Sequence, residues 1–159
     1  MRILAVAQSP GRVGAGLRFR FPPPQPGDTA RMPLVRCPTP ADAAAAIERL
    51  RAGRDSAAFL FFGSEDPQTA ESWCPDCVTA DPVLRAAIRR LRPDLTVYEC
   101  PVGARSQWKN QPDHPYRRDP STRLARIPTL LLMVDGLERG RLVEGDCAQP
   151  ALVEAFLAR

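Results

Sequence analysis

The sequence predicts an α/β protein with a mixed central sheet and helices on both faces. Two apolar runs, residues 57–62 and 129–134, have the composition and length of buried strands. Segments in which apolar residues recur at helical spacing alternate with the predicted strands, and a strand–turn–strand pattern lies near the C-terminus. Alternating helices and strands followed by a hairpin are typical of a mixed sheet that is covered on both faces.

The first predicted helix follows a strong start signal. Thr39 is a good N-cap, and Pro40 suits the first helical position because its missing N–H has no helical partner there. An alanine-rich stretch continues to Gly53, which is a suitable stop. The buried strand 57–62 follows.

The middle of the chain predicts a long helix, a strand and a short helix. Residues 77–91 show helical spacing, with Pro82 expected to kink the helix. Residues 95–100 have the alternation of a strand. Asp119 followed by Pro120 predicts the cap of a short helix that runs to Ala125.

The last third of the chain predicts a hairpin and a closing helix. After the strand 129–134, Asp135-Gly136 is a turn signal, and a further strand is expected at residues 141–144. Residues 150–158 carry apolar side chains on one helical face.

Charge and composition divide the chain of 159 residues at Met32. Residues 1–31 contain five arginines, one aspartate and a proline-rich run, whereas residues 32–159 contain 17 charges of each sign. We expect residues 1–31 to be a disordered extension, an organellar targeting tail or the product of a start codon assigned upstream, and residues 32–159 to form one domain. A neutral domain without an apolar run of about 20 residues predicts no nucleic-acid partner and no membrane span.

Five cysteines in a chain of this length do not predict a secreted disulfide scaffold, so we expect a cytoplasmic protein. Only Cys74 and Cys77 lie close together in sequence. Cys100 ends a predicted strand and is expected to be buried and inert. Cys147 follows Gly145 in a predicted turn, which favours an exposed thiol.

The segment Trp73-Cys74-Pro75-Asp76-Cys77 predicts a redox-active dithiol between a strand and a helix. With Cys74 as the N-cap, the free N–H groups of the first turn and the helix dipole favour its thiolate, which is the nucleophilic form. Cys77 lies within the same turn and can resolve a mixed disulfide. Trp73 either packs in the core or shapes access to the sulfurs.

Asp76 has two opposing effects in this segment. Its charge suits the helix N-terminus, but it should also oppose ionisation of Cys74. The alternative to a redox pair is half of a zinc site, which needs two further ligands. His114 is the single histidine and no second cysteine pair follows, so we predict no bound metal and no bound cofactor.

A second motif, Ile127-Pro128-Thr129, precedes the strand 129–134. Taken alone, Pro128 suits the first position of a strand. Together the motifs resemble the Clot-type proteins, the thioredoxin domain-containing protein 17 family. The residues that carry the resemblance are Phe62-Gly63-Ser64, Ser72 to Val78, Asp81-Pro82-Val83, Val102-Gly103, Trp108-Lys109, Tyr116-Arg117, Ile127 to Leu131, Leu142-Val143-Glu144, Cys147 and Leu152-Val153-Glu154.

The resemblance implies a thioredoxin-like fold and a monomeric disulfide reductase. In such folds the position of Pro128 is a cis-proline beside the active disulfide, and the adjacent main chain of Ile127 and Thr129 pairs with an extended substrate. Cys74 would attack and Cys77 would resolve, while Trp108 and Lys109 either pack in the groove or contact substrate.

The resemblance also implies the electron supply and the substrates. The electrons would come from NADPH through thioredoxin reductase to the Cys74–Cys77 disulfide, and the substrates would be small disulfides such as cystine and selected protein disulfides, with support for peroxide removal. The alternative is a redox-sensitive interaction module of the same fold that does not turn over.

Overall fold

The computed structural model describes residues 32–159, and our expectations for residues 1–31 lie outside the described residues. The strands are β1 (Leu34–Arg36), β2 (Ser56–Phe62), β3 (Thr96–Pro101), β4 (Thr129–Val134) and β5 (Leu137–Val143). The helices are α1 (Pro40–Gly53), α2 (Pro75–Leu91), α3 (Arg105–Trp108), α4 (Pro115–Arg118) and α5 (Pro150–Leu157), and a 3-10 helix covers Glu144–Ala148.

The strands form one mixed sheet in the order β1-β3-β2-β4-β5. β1 and β2 are parallel to β3, whereas β4 is antiparallel to both β2 and β5. The connection from β1 to β2 and the connection from β2 to β3 run in opposite directions across the sheet. Because such crossovers are right-handed, α1 and α2 lie on opposite faces, which confirms the predicted fold class.

The local signals explain where the main helices begin. Thr39 caps α1 through a capping box: its Oγ1 accepts the N–H of Asp42 at 3.3 Å, and its own N–H donates to Oδ2 of Asp42 at 3.0 Å. α2 begins at Pro75 and continues through Pro82 without interruption. The turn between β4 and β5 has positive φ at both Asp135 and Gly136, as its sequence predicts.

Two predicted elements of the connection and the hairpin are wrong in part. The expected helix from Asp119 to Ala125 is a single turn, because the carboxylate of Asp119 accepts the N–H of Ser121 and Arg123 adopts a left-handed φ of 40°. The helical residues lie earlier, in α4. β5 begins at Leu137 and not at residue 141, since an edge strand tolerates exposed charged residues that hide its pattern.

β1 is absent from our sequence prediction. It has three residues, all exposed, and it pairs with β3 alone. Such a strand has too few residues to show a period of two. It nevertheless lies between two buried side chains, Met32 and Cys37.

The central strands form the core. The six residues from Ala57 to Phe62 are all buried, as are the five from Thr129 to Met133. Within residues 32–159 no helix combines the length and the apolar character that a membrane span requires.

Candidate active site

Cys74 lies where the connection from β2 meets α2. It is the N-cap of the helix, with φ −95° and ψ 108°, and Pro75 is the first helical residue, as the sequence predicts. Its Sγ accepts the N–H of Cys77 at 3.3 Å. The free donors of the first turn therefore point at the sulfur, which favours negative charge there.

The surroundings separate the two thiols by their acidity. Hydrogen bonding from the Cys77 thiol, assisted by main-chain donors, lowers the pKa of Cys74 to about 7 against the opposing effects of burial and the Asp76 charge. The same thiol–thiol hydrogen bond and burial raise the pKa of Cys77. At neutral pH Cys74 is partly thiolate and Cys77 is a protonated thiol.

Ser72 and Gly63 hold the cysteine loop in place, and sequence reasoning gave them no role. The Ser72 hydroxyl donates to the carbonyl of Gly63 at 2.5 Å and accepts the N–H of Cys74 at 3.2 Å. A Cβ on Gly63 would approach Cε2 of Trp73 to 2.7 Å, so only glycine fits this close contact. The signal available in the sequence is that both residues are among those that carry the family resemblance.

Trp73 serves both of the functions that its sequence position left open. Its ring is half-buried against the core, and its indole N–H donates to the carbonyl of Gly103 at 2.8 Å. It also lines a groove beside Cys74. Trp73 thus anchors the cysteine loop to the connection that follows β3.

Two cavities open beside the dithiol. One groove, of about 300 Å³, is lined by Trp73, Cys74, Pro75, Asp76 and Ile127 among others. A second cavity, of about 310 Å³, is lined by Cys77 and not by Cys74. The lining of this second cavity includes Cys77, Pro128, Glu65, Asp81 and Arg85.

The Ile127–Pro128 peptide bond is cis. Ile127 reaches the groove of Cys74 and Pro128 reaches the cavity of Cys77, so this segment lies beside both sulfurs. Within residues 32–159 the main chain of Ile127 makes no hydrogen bond. Thr129 is different, because its side chain is buried and donates to the carbonyl of Arg126 at 2.8 Å.

Trp108 and Lys109, in the long connection between β3 and β4, both line the groove beside Cys74 but differ in exposure. Trp108 is buried and packs edge-on against His114, with 5.0 Å between ring centroids. Lys109 is exposed and lines the groove beside Cys74. Arg105, Arg117 and Arg126 line the same groove, and we did not predict them as site residues.

The other cysteines lie outside the two cavities. The prediction of an exposed Cys147 is wrong: its thiol is fully buried, approaches the carbonyl of Pro128 at 3.8 Å, and has a pKa raised to about 12 by burial. Cys100 is buried, as expected, and its thiol approaches the carbonyl of Tyr98 at 3.7 Å. Burial raises the pKa of Cys100.

No group of three or more metal-ligating side chains occurs within the part of the chain that the structure describes. Cys74 and Cys77 are present there as free thiols. A helix N-cap thiol of lowered pKa, a resolving thiol three residues later and a cis-proline segment beside both are the components of a thioredoxin-type redox site.

Comparison with solved structures shows that the chain has a thioredoxin fold. Thioredoxin O2 from Arabidopsis thaliana in its oxidised state matches with a TM-score of 0.55 and 19% identity, over 79% of this chain and 95% of that one. Thioredoxin O1 from the same plant matches with a TM-score of 0.54 and 17% identity, over 80% and 99% of the two chains. At these identities the likeness concerns the fold.

Residues 39–159 match the model of the family described as "Thioredoxin domain-containing protein 17-like, thioredoxin domain", and the chain belongs to this family. Thioredoxin domain-containing protein 17 of Mus musculus is 38% identical over 100 residues, which cover 63% of this chain and 76% of that protein. The thioredoxin-like protein Clot of Arabidopsis thaliana is 34% identical over 99 residues, which cover 62% and 73%.

Proposed function

We propose that the protein is a thiol–disulfide oxidoreductase that reduces small disulfides such as cystine, and selected protein disulfides, with Cys74 as the attacking thiol. The observation that carries this proposal is the position of Cys74. Its sulfur caps α2, has a pKa lowered to about 7 and faces a groove beside Ile127. A thiolate at neutral pH beside a groove that a disulfide can enter is the requirement for disulfide exchange.

The first step is attack by the Cys74 thiolate on one sulfur of the substrate. The Cys74–substrate bond forms, the substrate disulfide breaks, and one arm leaves as a thiolate that takes a proton. Once Cys74 is in the mixed disulfide, it no longer carries the charge that raises the pKa of Cys77. Cys77 can then lose its proton more easily.

The second step is attack by the Cys77 thiolate on the Cys74 sulfur. The second arm leaves as a thiol, and the protein holds a Cys74–Cys77 disulfide, so two electrons have passed to the substrate. We propose that thioredoxin reductase returns the two electrons from NADPH, that the protein binds no cofactor itself, and that it acts as a cytoplasmic monomer. Supply of electrons for peroxide removal belongs to the same proposal.

The test is NADPH oxidation in the presence of thioredoxin reductase and cystine. We expect turnover by the unaltered protein and none above background by Cys74→Ser or Cys77→Ser. Cys37→Ala is the matched control, because it removes a buried thiol outside both cavities. Turnover that survives Cys74→Ser would contradict the proposed nucleophile.

Cys77→Ser separates the reductase from a non-catalytic interaction module. In the reductase this variant traps a mixed disulfide between Cys74 and its substrate, which mass spectrometry detects as the added mass of one substrate arm. An interaction module would bind a partner while the unaltered protein oxidises no NADPH.

A further inference from the structure

Four positively charged side chains line the groove beside Cys74. Arg105, Lys109, Arg117 and Arg126 all line it, and they come from the long connection between β3 and β4. None of them belongs to the cysteine motif. The groove therefore contains cations together with Cys74, the proposed attacking thiol.

Among the described residues, three of these cations have no carboxylate partner. Arg126 pairs with Glu144 at 2.7 Å, but Arg105, Lys109 and Arg117 form no salt bridge within residues 32–159. The other carboxylate in the lining is Asp76. Positive charge therefore exceeds negative charge along the approach to Cys74.

The guanidinium group of Arg117 is held in a fixed position. Its Cζ lies 3.7 Å from the centre of the Trp108 ring, and its Nη1 donates to the carbonyl of Ala125 at 2.5 Å. Its Nε is buried and has no hydrogen-bond partner within residues 32–159. A cation that is held in place by such contacts loses little side-chain freedom when it binds an anion in the groove.

Arg105 and Lys109 place further charge on the same connection. Arg105 lies with its Cζ 5.8 Å from the centre of the Trp73 ring, immediately beside the cysteine motif. Lys109 follows the buried Trp108 and is exposed. Both side chains are accessible to a ligand in the groove.

We propose that these cations select disulfides that carry carboxylate groups and a net negative charge, that is, small acidic peptide disulfides. This inference rests on the proposed function and names its preferred substrate class. A carboxylate bound by Arg117 and Lys109 would hold the adjacent disulfide at Cys74. The same positive charge would stabilise the thiolate that leaves when the Cys74–substrate bond forms.

The test measures how fast three disulfides oxidise the reduced protein in a single turnover, followed by tryptophan fluorescence. The probes are oxidised glutathione, which is anionic, hydroxyethyl disulfide, which is uncharged, and cystamine, which is cationic. Each rate is divided by the rate of the same disulfide with dithiothreitol, which removes differences in intrinsic reactivity. We expect the corrected rate to be about tenfold higher for oxidised glutathione than for cystamine, and to fall with added salt.

Lys109→Glu reverses one charge of the groove at an exposed position. We expect it to lower the corrected rate for oxidised glutathione about tenfold, to raise that for cystamine, and to leave hydroxyethyl disulfide nearly unchanged. Arg118→Glu is the matched control, because Arg118 is exposed on the same connection but does not line the groove.

Two outcomes would overturn the inference in different ways. Equal corrected rates for all three probes, or equal effects of Lys109→Glu and Arg118→Glu, would contradict the proposed charge selectivity but not the proposed reductase activity. If none of the three probes oxidises the reduced protein, the result would contradict both the proposed function and the proposed selectivity.

Discussion

The acidity of Cys74 depends on a small number of neighbouring groups. Its thiolate gains from the Cys77 thiol and from main-chain donors of the first turn of α2, and it loses from burial and from the charge of Asp76. Asp76 is exposed, so its effect is electrostatic and not one of packing. The charge of Asp76 therefore opposes the groups that lower the pKa of Cys74.

Asp76→Asn should lower the pKa of Cys74 below its value of about 7, because it removes the charge that opposes the thiolate. In the unaltered protein the alkylation rate of Cys74 should fall about tenfold for each pH unit below pH 7, where the thiol is protonated, and level off above it. In the variant this profile should move to lower pH by about half a unit. Asp94→Asn is the control, since Asp94 lies beyond the other end of α2; an unchanged or upward-shifted midpoint in Asp76→Asn would contradict the assigned role.

The connection between β2 and α2 fixes the position of the site between these two elements. β2 is buried from Ala57 to Phe62 and is followed directly by Gly63, while the cap of α2 is Cys74 itself. Ser72 joins the two by hydrogen-bonding both Gly63 and Cys74. Displacing this connection should therefore affect the reactivity of Cys74 and the stability together.

Gly63→Ala tests this coupling. The added Cβ would lie 2.7 Å from Cε2 of Trp73 and 3.0 Å from Cβ of Cys74, so both must shift. We expect the free energy of unfolding, measured with urea, to fall by about 1–3 kcal/mol and the alkylation rate of Cys74 to change. Gly145→Ala, where a Cβ meets nothing within 4 Å, should leave both measurements unaltered; equal results for the two variants would show that the close contact has no consequence.

β1 is an edge strand of the sheet, although it lies outside the residues that match the family model. The match begins at residue 39, after β1. The main chain on either side of β1 still bonds to β3: the carbonyl of Pro33 accepts the N–H of Val97 at 2.8 Å, and the N–H of Cys37 donates to Glu99 at 2.8 Å. We therefore assign β1 to the folded domain.

Truncation checks this boundary. A chain that begins at Met32 keeps every element that the structure describes. A chain that begins at Thr39 should unfold several degrees lower, because it loses β1 and the buried side chains of Met32 and Cys37. Thermal unfolding followed by circular dichroism compares the three chains; equal midpoints for the full chain and the Thr39 chain would contradict the boundary.

Local sequence patterns determined most of the fold and the centre of the site. The apolar runs of β2 and β4 and the start signal of α1 each act within a few residues, so they can be read without knowing the fold. The same holds for the dithiol at the start of α2 and for the proline before β4. The family resemblance, which the match over residues 39–159 confirms, joined these local features into one fold.

Tertiary structure alone decided the parts that depend on distant partners. β1 exists because it pairs with β3, and Cys147 is buried because the 3-10 helix packs beside Pro128. The cations of the groove come from a connection without a regular pattern, and folding brings them to Cys74. Short-range periodicity and capping carry no information about such contacts. The sequence therefore locates the dithiol at the start of α2 but does not show which side chains line the groove beside it.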